Sequence, residues 1–256
     1  MRLTGFDGKT AMVSGAAGGI GRAVVQALAE AGARVIASDT AAALAAAPLP
    51  GIESRVLDVR DGDAAEALVA EVEAQHGPLA LGVHAAGVLA IGPLLDLPAQ
   101  EWDRVIGVNA TGTFNVTRAF GRAMARHGRG AIVAVSSNAA GIPRQNMGAY
   151  AASKAAATML IRCLGLELAG QGVRCNIVAP GSTLTPMQTG MWAEDGGAGE
   201  RAVIEGSLGA YRTGIPLRKL ATPEDIAGAV MYLLSDQAGH VTMTDLYVDG
   251  GATLRA

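Results

Sequence analysis

Seven short apolar runs in this chain of 256 residues alternate with long stretches of helical period. "TAMVSG" (10–15), "ARVIASD" (33–39), "GIESRVLDV" (51–59), "LALGVHAAG" (79–87), "GAIVAVSS" (130–137), "VRCNIVAPG" (173–181) and "DLYVDG" (245–250) read as strands. Helices are expected over 19–31, 61–76, 99–127, 149–170 and 223–235. The strands are nearly continuously apolar, as in a sheet buried on both faces. Strand–helix–strand repetition makes the strands parallel, and right-handed crossovers wind helices over both faces. The expectation is therefore one α/β domain over 1–256, a Rossmann-type doubly wound parallel sheet of about seven strands.

Two stretches break the rhythm. "AAALAAAPLPG" (41–51) reads as an exposed helical turn and loop without function. Residues 183–217 are long, rich in glycine, and carry methionines and a tryptophan. So long an insertion after a strand end is expected to be a lid.

Apolar residues make up 50% of the chain and charged residues 17%, which provides for a large core. A net charge of −3 gives no basic footprint, so nucleic acid and acidic membrane surfaces are not expected partners. No apolar run is long enough to span a bilayer, and "MRLTGFDGKTAMVSG" lacks the layout of a signal peptide. Cys163 and Cys175 are expected as buried free thiols, which suits a reducing cytoplasm. No metal centre is expected.

"VSGAAGGIG" (13–21) joins the first strand to the first helix. Gly15, Gly19 and Gly21 allow a tight turn and a close approach of backbone to a pyrophosphate, which the helix N-terminus would face. Asp39 ends the second strand, where a carboxylate bonds the ribose hydroxyls of NAD and repels a 2′-phosphate. NAD rather than NADP is expected, with Asp39 as a simple strand cap the other reading. "GAYAASKAA" (148–156) then puts Tyr150 and Lys154 on one helix face. A free phenol, with a pKa of about 10, is a poor base at neutral pH, and a neighbouring ammonium favours its ionised form.

This glycine pattern, "HAAG" at 84–87, Asn109 in "VNATG", Ser137 thirteen residues before Tyr150, Tyr-x-x-x-Lys, "PG" at 180–181 and "DGG" at 249–251 together resemble the short-chain dehydrogenase/reductase family along the whole chain. Ser14 stands where that family often has threonine and His84 where it often has asparagine. The resemblance implies a catalytic set of Asn109, Ser137, Tyr150 and Lys154. Tyr150 takes the alcohol proton and Ser137 holds the substrate oxygen. Lys154 bonds the nicotinamide ribose, and a water held by Asn109 extends a proton path. It further implies NAD contacts from Gly15, Gly19, Ile20, Gly21, Asp39, Asp58, Val59, Ala85, Gly87, Tyr150, Lys154, Pro180, Gly181, Thr183 and Thr185. Of these, Thr185 matches the position that bonds the carboxamide, and Asp58 and Val59 the pair beside the adenine. A homotetramer is implied as well, with helices near 99–127 and 149–170 pairing about two-fold axes.

Within the family, "VSSNAAGIPRQNMGAYAASKAA", "CLGLELAGQGVRCNIVAPGST", "PMQTGMW" and "GHVTMTDLYVDGGATL" resemble the 2,3-dihydro-2,3-dihydroxybenzoate dehydrogenases of catechol siderophore biosynthesis. That likeness implies oxidation of the C3 alcohol of a cyclohexadiene carboxylate. Arg144 either pairs with the carboxylate or is a surface or interface cation. Met187, Gln188 and Trp192 either cover the ring or pack the lid. Pro186 stands where such enzymes often have an acid. A trans-2,3-dihydro-3-hydroxyanthranilate substrate, with an amine at C2, is therefore the alternative. A 3-oxoacyl carrier-protein reductase and a non-catalytic NAD-binding sensor are further alternatives. Asp39 argues against the first, and the intact Ser137, Tyr150 and Lys154 against the second.

Overall fold

All five residues of the first strand, β1 (Thr10–Ser14), are buried, as its unbroken apolar run requires. The computed structural model describes residues 2–192 and 197–254. After β1 follow α1 (Gly19–Glu30), β2 (Arg34–Asp39), α2 (Ala41–Ala46), β3 (Glu53–Val56), α3 (Gly62–His76) and β4 (Leu79–His84). The second half holds α4 (Ala99–Ile106), α5 (Gly112–His127), β5 (Gly130–Val135), α6 (Gly148–Leu168), β6 (Val173–Pro180), α7 (Pro186–Thr189), α8 (Ala198–Glu205), α9 (Pro223–Leu234) and β7 (Asp245–Val248). The strands form one parallel sheet in the order β3-β2-β1-β4-β5-β6-β7.

Two apolar layers sandwich the sheet. Val24, Val25 and Leu28 of α1 pack with Ile226, Val230 and Leu233 of α9 on one face. Leu68 and Val72 of α3, Phe120 and Met124 of α5, and Ile161 of α6 cover the other. Gly82 of β4 admits Phe120, since a Cβ there would stand 2.5 Å from the ring. Strand order reverses between β1 and β4. The crevice outside their carboxyl ends is where such sheets bind ligands.

The expected elements are all present, with four differences. β3 is shorter than 51–59: it ends at Val56, level with Asp39 at the end of β2, and the Leu57 amide makes a last bond to the Asp39 carbonyl at 2.8 Å. The helix over 99–127 is interrupted by one π-turn, Gly107–Thr111. Cys175 is buried but Cys163 is exposed, because it sits on the face of α6 turned away from the sheet. The 41–51 stretch is exposed and helical, yet Ala43, Ala46 and Ala47 line a ligand-sized groove. Residues 193–196 of the expected lid lie outside the described residues; the rest of 183–217 carries α7 and α8. Among the described residues no helix is long and apolar enough to cross a membrane.

Candidate active site

Two cavities meet at the switch point. The first, about 670 Å³, runs along the glycine loop and the tips of β1, β2 and β4. Gly15, Gly19, Ile20, Gly21, Asp39, Asp58, Val59, Ala85, Gly87 and Thr185 all line it. Gly15 has φ +73°, and a Cβ there would lie 2.3 Å from the Ala86 amide nitrogen. Gly21 is as constrained, its Cβ position 2.0 Å from the Gly15 carbonyl oxygen. The loop can therefore fold flat against β4 only as glycine. Gly18, the residue before α1, offers no side-chain cap, and the first turn holds no acid, which leaves the N-terminal amides of α1 to a phosphate. This cradle suits a dinucleotide. Asp39 is held at its edge by the amides of Ala17 (3.0 Å) and Thr40 (2.8 Å). The cations near the groove are engaged elsewhere. Arg22 donates to the carbonyls of Ala47 and Pro48, Arg60 is paired with Asp58 at 2.5 Å, and Arg104 with Glu101 at 2.8 Å.

The second cavity, about 460 Å³, adjoins the first at Ile20, Ala85, Gly87, Thr185 and Met187. Ser137, Arg144, Tyr150, Lys154, Pro180, Gly181, Thr183, Thr185, Met187, Gln188 and Trp192 line it together. Of the site residues expected from sequence, only Asn109 lines neither cavity. It is fully buried in the π-turn, a distortion common at functional sites. Its amide accepts from the Val88 nitrogen (2.8 Å) and donates to the Val88 carbonyl (2.9 Å) and the Ser153 hydroxyl (2.9 Å). Ser153 in turn donates to the Tyr150 carbonyl at 2.7 Å. Asn109 thus clamps the loop after β4 to the helix that carries Tyr150. Its own carbonyl accepts from Thr113 at 2.6 Å.

Tyr150 and Lys154 share a face of α6, as their spacing requires, with the Lys154 ammonium 5.9 Å from the phenol ring centre. The expected lowering of the Tyr150 pKa is not what this arrangement gives. Burial pushes the phenol up from its ordinary value, and the Ser137 hydroxyl pulls it back only in part. Lys154 points its Nζ at the Val135 carbonyl, 3.0 Å away, and burial drops its pKa to about 8. Behind this pair His84 is buried, its Nδ1 2.8 Å from the Ser14 hydroxyl and its Nε2 without a hydrogen-bond partner. Burial first, and the Lys154 charge second, lower its pKa to about 3.

Sequence reasoning missed Arg212, which lines the second cavity. It lies far from Tyr150 in the chain, inside a glycine-rich segment with no periodicity to orient it. Thr185 does more than expected: its hydroxyl caps α7, accepting from the Gln188 amide at 3.4 Å, and its methyl meets Gly19, where a Cβ would be 2.8 Å away.

Residues 15–253 match a family model described as enoyl-(acyl carrier protein) reductase. The chain is 48% identical over 261 aligned positions to a 2,3-dihydro-2,3-dihydroxybenzoate dehydrogenase of Bacillus subtilis, covering 99% of each protein. It is 41% identical to a vibriobactin-specific 2,3-dihydro-2,3-dihydroxybenzoate dehydrogenase of Vibrio cholerae, covering 95% of each. Among solved structures, the ligand-free aldohexose dehydrogenase of Thermoplasma acidophilum superposes with a TM-score of 0.89 at 28% identity, covering 100% of this chain and 98% of that one. The likeness runs from the glycine loop to β7, through both cavities. The chain therefore belongs to the short-chain dehydrogenase family, oxidoreductases that act on CH–OH donors with a nicotinamide cofactor.

Proposed function

We propose that the protein is an NAD-dependent dehydrogenase that oxidises the C3 alcohol of 2,3-dihydro-2,3-dihydroxybenzoate. The product is 2,3-dihydroxybenzoate, as in siderophore biosynthesis. One observation carries the choice of substrate class. Arg144, Lys154 and Arg212 line the second cavity, and no Asp or Glu does among the described residues. A carboxylate is welcome there, and a cation is not. An ammonium at C2 would need an acid beside it. Pro186 opens α7 as its first residue and lines the first cavity rather than the second, so that position supplies none. The diol therefore ranks above the amino alcohol.

In this reading the glycine loop and Asp39 would hold NAD, which would supply the acceptor for the hydride leaving C3. The protein does the rest. Ser137 holds the C3 oxygen beside Tyr150, whose phenolate removes the hydroxyl proton. Lys154 favours the phenolate and bonds the nicotinamide ribose. Asn109 keeps this helix in register with the loop after β4 and stands at the start of the proton path. Arg144 holds the carboxylate, and Met187, Gln188 and Trp192 cover the ring as part of a lid over 183–217. The ketone formed at C3 tautomerises to an aromatic ring, so the oxidation is strongly downhill.

Asp39 supports NAD over NADP, and Arg22, Arg60 and Arg104, the cations near it among the described residues, already have partners. The test follows cofactor reduction across a panel of dihydroaromatic acids, their C2-amino counterparts and simple secondary alcohols, with NAD and NADP. The expected result is the highest kcat/KM with the diol acid and NAD. Turnover confined to simple alcohols, or a preference for NADP, overturns the reading.

The working unit in this proposal is a cytoplasmic homotetramer. Ala152, Ala155, Ala156, Met159 and Leu166 are exposed along the outer face of α6, Met159 by 54% and Leu166 by 71%. An apolar, small-residue helix face of this kind suits a two-fold helix pairing. Light scattering at micromolar concentration is expected to give four chains; a monomer would count against it.

A further inference from the structure

We propose that Arg212 is the second guanidinium of a carboxylate clamp, set opposite Arg144, and that it determines the selectivity of the cavity for acids. The inference rests on the carboxylate reading above and deepens it.

The backbone around Arg212 is built to present it. Its amide donates to the Ser207 carbonyl and its carbonyl accepts from the Ser207 amide, both at 2.9 Å, which closes a small antiparallel hairpin around a single turn, Leu208–Ala210. Gly206 and Gly214 flank this hairpin with φ of +83° and +76°. A Cβ on Gly206 would lie 2.4 Å from the Arg212 carbonyl oxygen, and one on Gly214 would lie 2.5 Å from the Ile204 carbonyl oxygen. The chain can cross itself this closely only with glycine at both places. The Ile215 amide then bonds the Ile204 carbonyl at 2.8 Å, which fixes the hairpin to α8. Arg212 therefore reaches the cavity from an ordered backbone.

The charges around it are not balanced. Neither Arg144 nor Arg212 is in an ion pair among the described residues. Arg144 is half-buried, and the positive charge of Arg212 makes its protonated form harder to hold, with burial the larger cause. Among the described residues the acid whose charge reaches Arg144 is Asp249, and its carboxylate is already engaged. Its Oδ1 accepts from the Gly251 amide (2.9 Å), and its Oδ2 from the Thr253 amide (3.0 Å) and the Asn138 side chain (3.4 Å). Two guanidiniums that line one cavity with no ion-pair partner among the described residues, the Asp249 charge acting on Arg144 only as the smallest of its influences, gain from an anion placed between them. A carboxylate matches the fork geometry of each. One arginine comes from the loop before α6 and the other from the segment over the cavity mouth. A bound acid therefore ties the two walls together, and a neutral ring of the same shape does not.

Binding is the readout, so the test does not depend on turnover. 2-Hydroxybenzoate and 2-hydroxybenzamide are titrated into the NAD-saturated protein by calorimetry. The variants are Arg212→Leu, Arg212→Lys and, as an exposed control on the same segment, Arg218→Leu. Arg212→Leu is expected to weaken the acid by about 10- to 100-fold, the range for a hydrogen bond to a charged group. The amide should stay within about twofold, a change too small to signal a lost charged contact. Arg212→Lys should fall between, keeping the charge without the fork, and Arg218→Leu should match wild type. Equal losses for acid and amide would make Arg212 a packing residue, and no loss for either would remove it from the site. If the acid is selected in this way but no dihydroaromatic acid is oxidised, the proposed reaction falls and the clamp stands. If Arg212→Leu oxidises the acid with unchanged KM, the clamp falls and the reaction stands.

Discussion

Tyr150→Phe is expected to lower kcat by at least ~10², the lower bound for loss of a general base, while folding and NAD binding survive. The substitution keeps the ring and removes one hydroxyl, whose neighbour in the protein is Ser137. Little packing is lost, so the effect reads the chemistry. The pH dependence has a definite sign. Oxidation needs the phenolate, so the rate rises with pH. Burial holds the Tyr150 pKa above its ordinary value, and Lys154, at about 8, is itself close to losing its proton. Positive charge brought by the nicotinamide ring favours the phenolate further. Lys154→Met keeps the stem and deletes the ammonium. It should move the rise to higher pH and weaken NAD binding, because it removes both the charge and the ribose contact. Stopped-flow rates of cofactor reduction from about pH 6 to 10 measure both effects. Near-wild-type turnover by Tyr150→Phe on the true substrate would leave the Tyr150–Lys154 pair as a packing arrangement only.

Much of this site could be read from the chain because its parts obey local rules. The glycines of 15–21 are where a turn and a close approach admit nothing larger, and the spacing of Tyr150 and Lys154 fixes their shared face. Strand periodicity gave the parallel sheet, and with it the crevice. Three other features had no local signature. Lys154 was expected to lower the phenol pKa, but the sign depends on how deeply α6 is covered, and tertiary packing decides that. The π-turn at Asn109 is one extra residue per turn in an otherwise regular helical pattern, invisible to periodicity. Arg212 is delivered by Gly206 and Gly214 crossing each other's backbone, a long-range contact that no window of sequence reports. Cys163 failed for a related reason, since an apolar neighbourhood in sequence does not say which helix face meets the sheet.

A second large effect is expected at His84, in stability rather than rate. The imidazole is buried at the end of β4 with its folded pKa lowered from 6.5 to about 3. Ser14 lies 2.8 Å from Nδ1, and among the described residues the charge that acts on it is the Lys154 ammonium, which opposes protonation. The folded protein therefore keeps His84 neutral, and the unfolded chain binds a proton below about pH 6.5. Stability from this group is whole above that pH and is lost progressively as pH falls toward about 3, because the unfolded state gains protons that the folded state refuses. Between pH 7 and pH 4 the loss amounts to about 3 kcal/mol. His84→Asn, which places the residue the family often carries, has no proton to bind and should flatten that part of the curve. Thermal unfolding of the two proteins at one fixed concentration, every half unit from pH 7 to 4, makes the comparison. The other histidines are common to both and cancel. Wild type should lose its midpoint faster on acidification and converge on or cross the variant. Parallel curves would mean that His84 is reached by solvent protons in the folded state, and that the unpartnered Nε2 faces water rather than the closed interior behind Lys154.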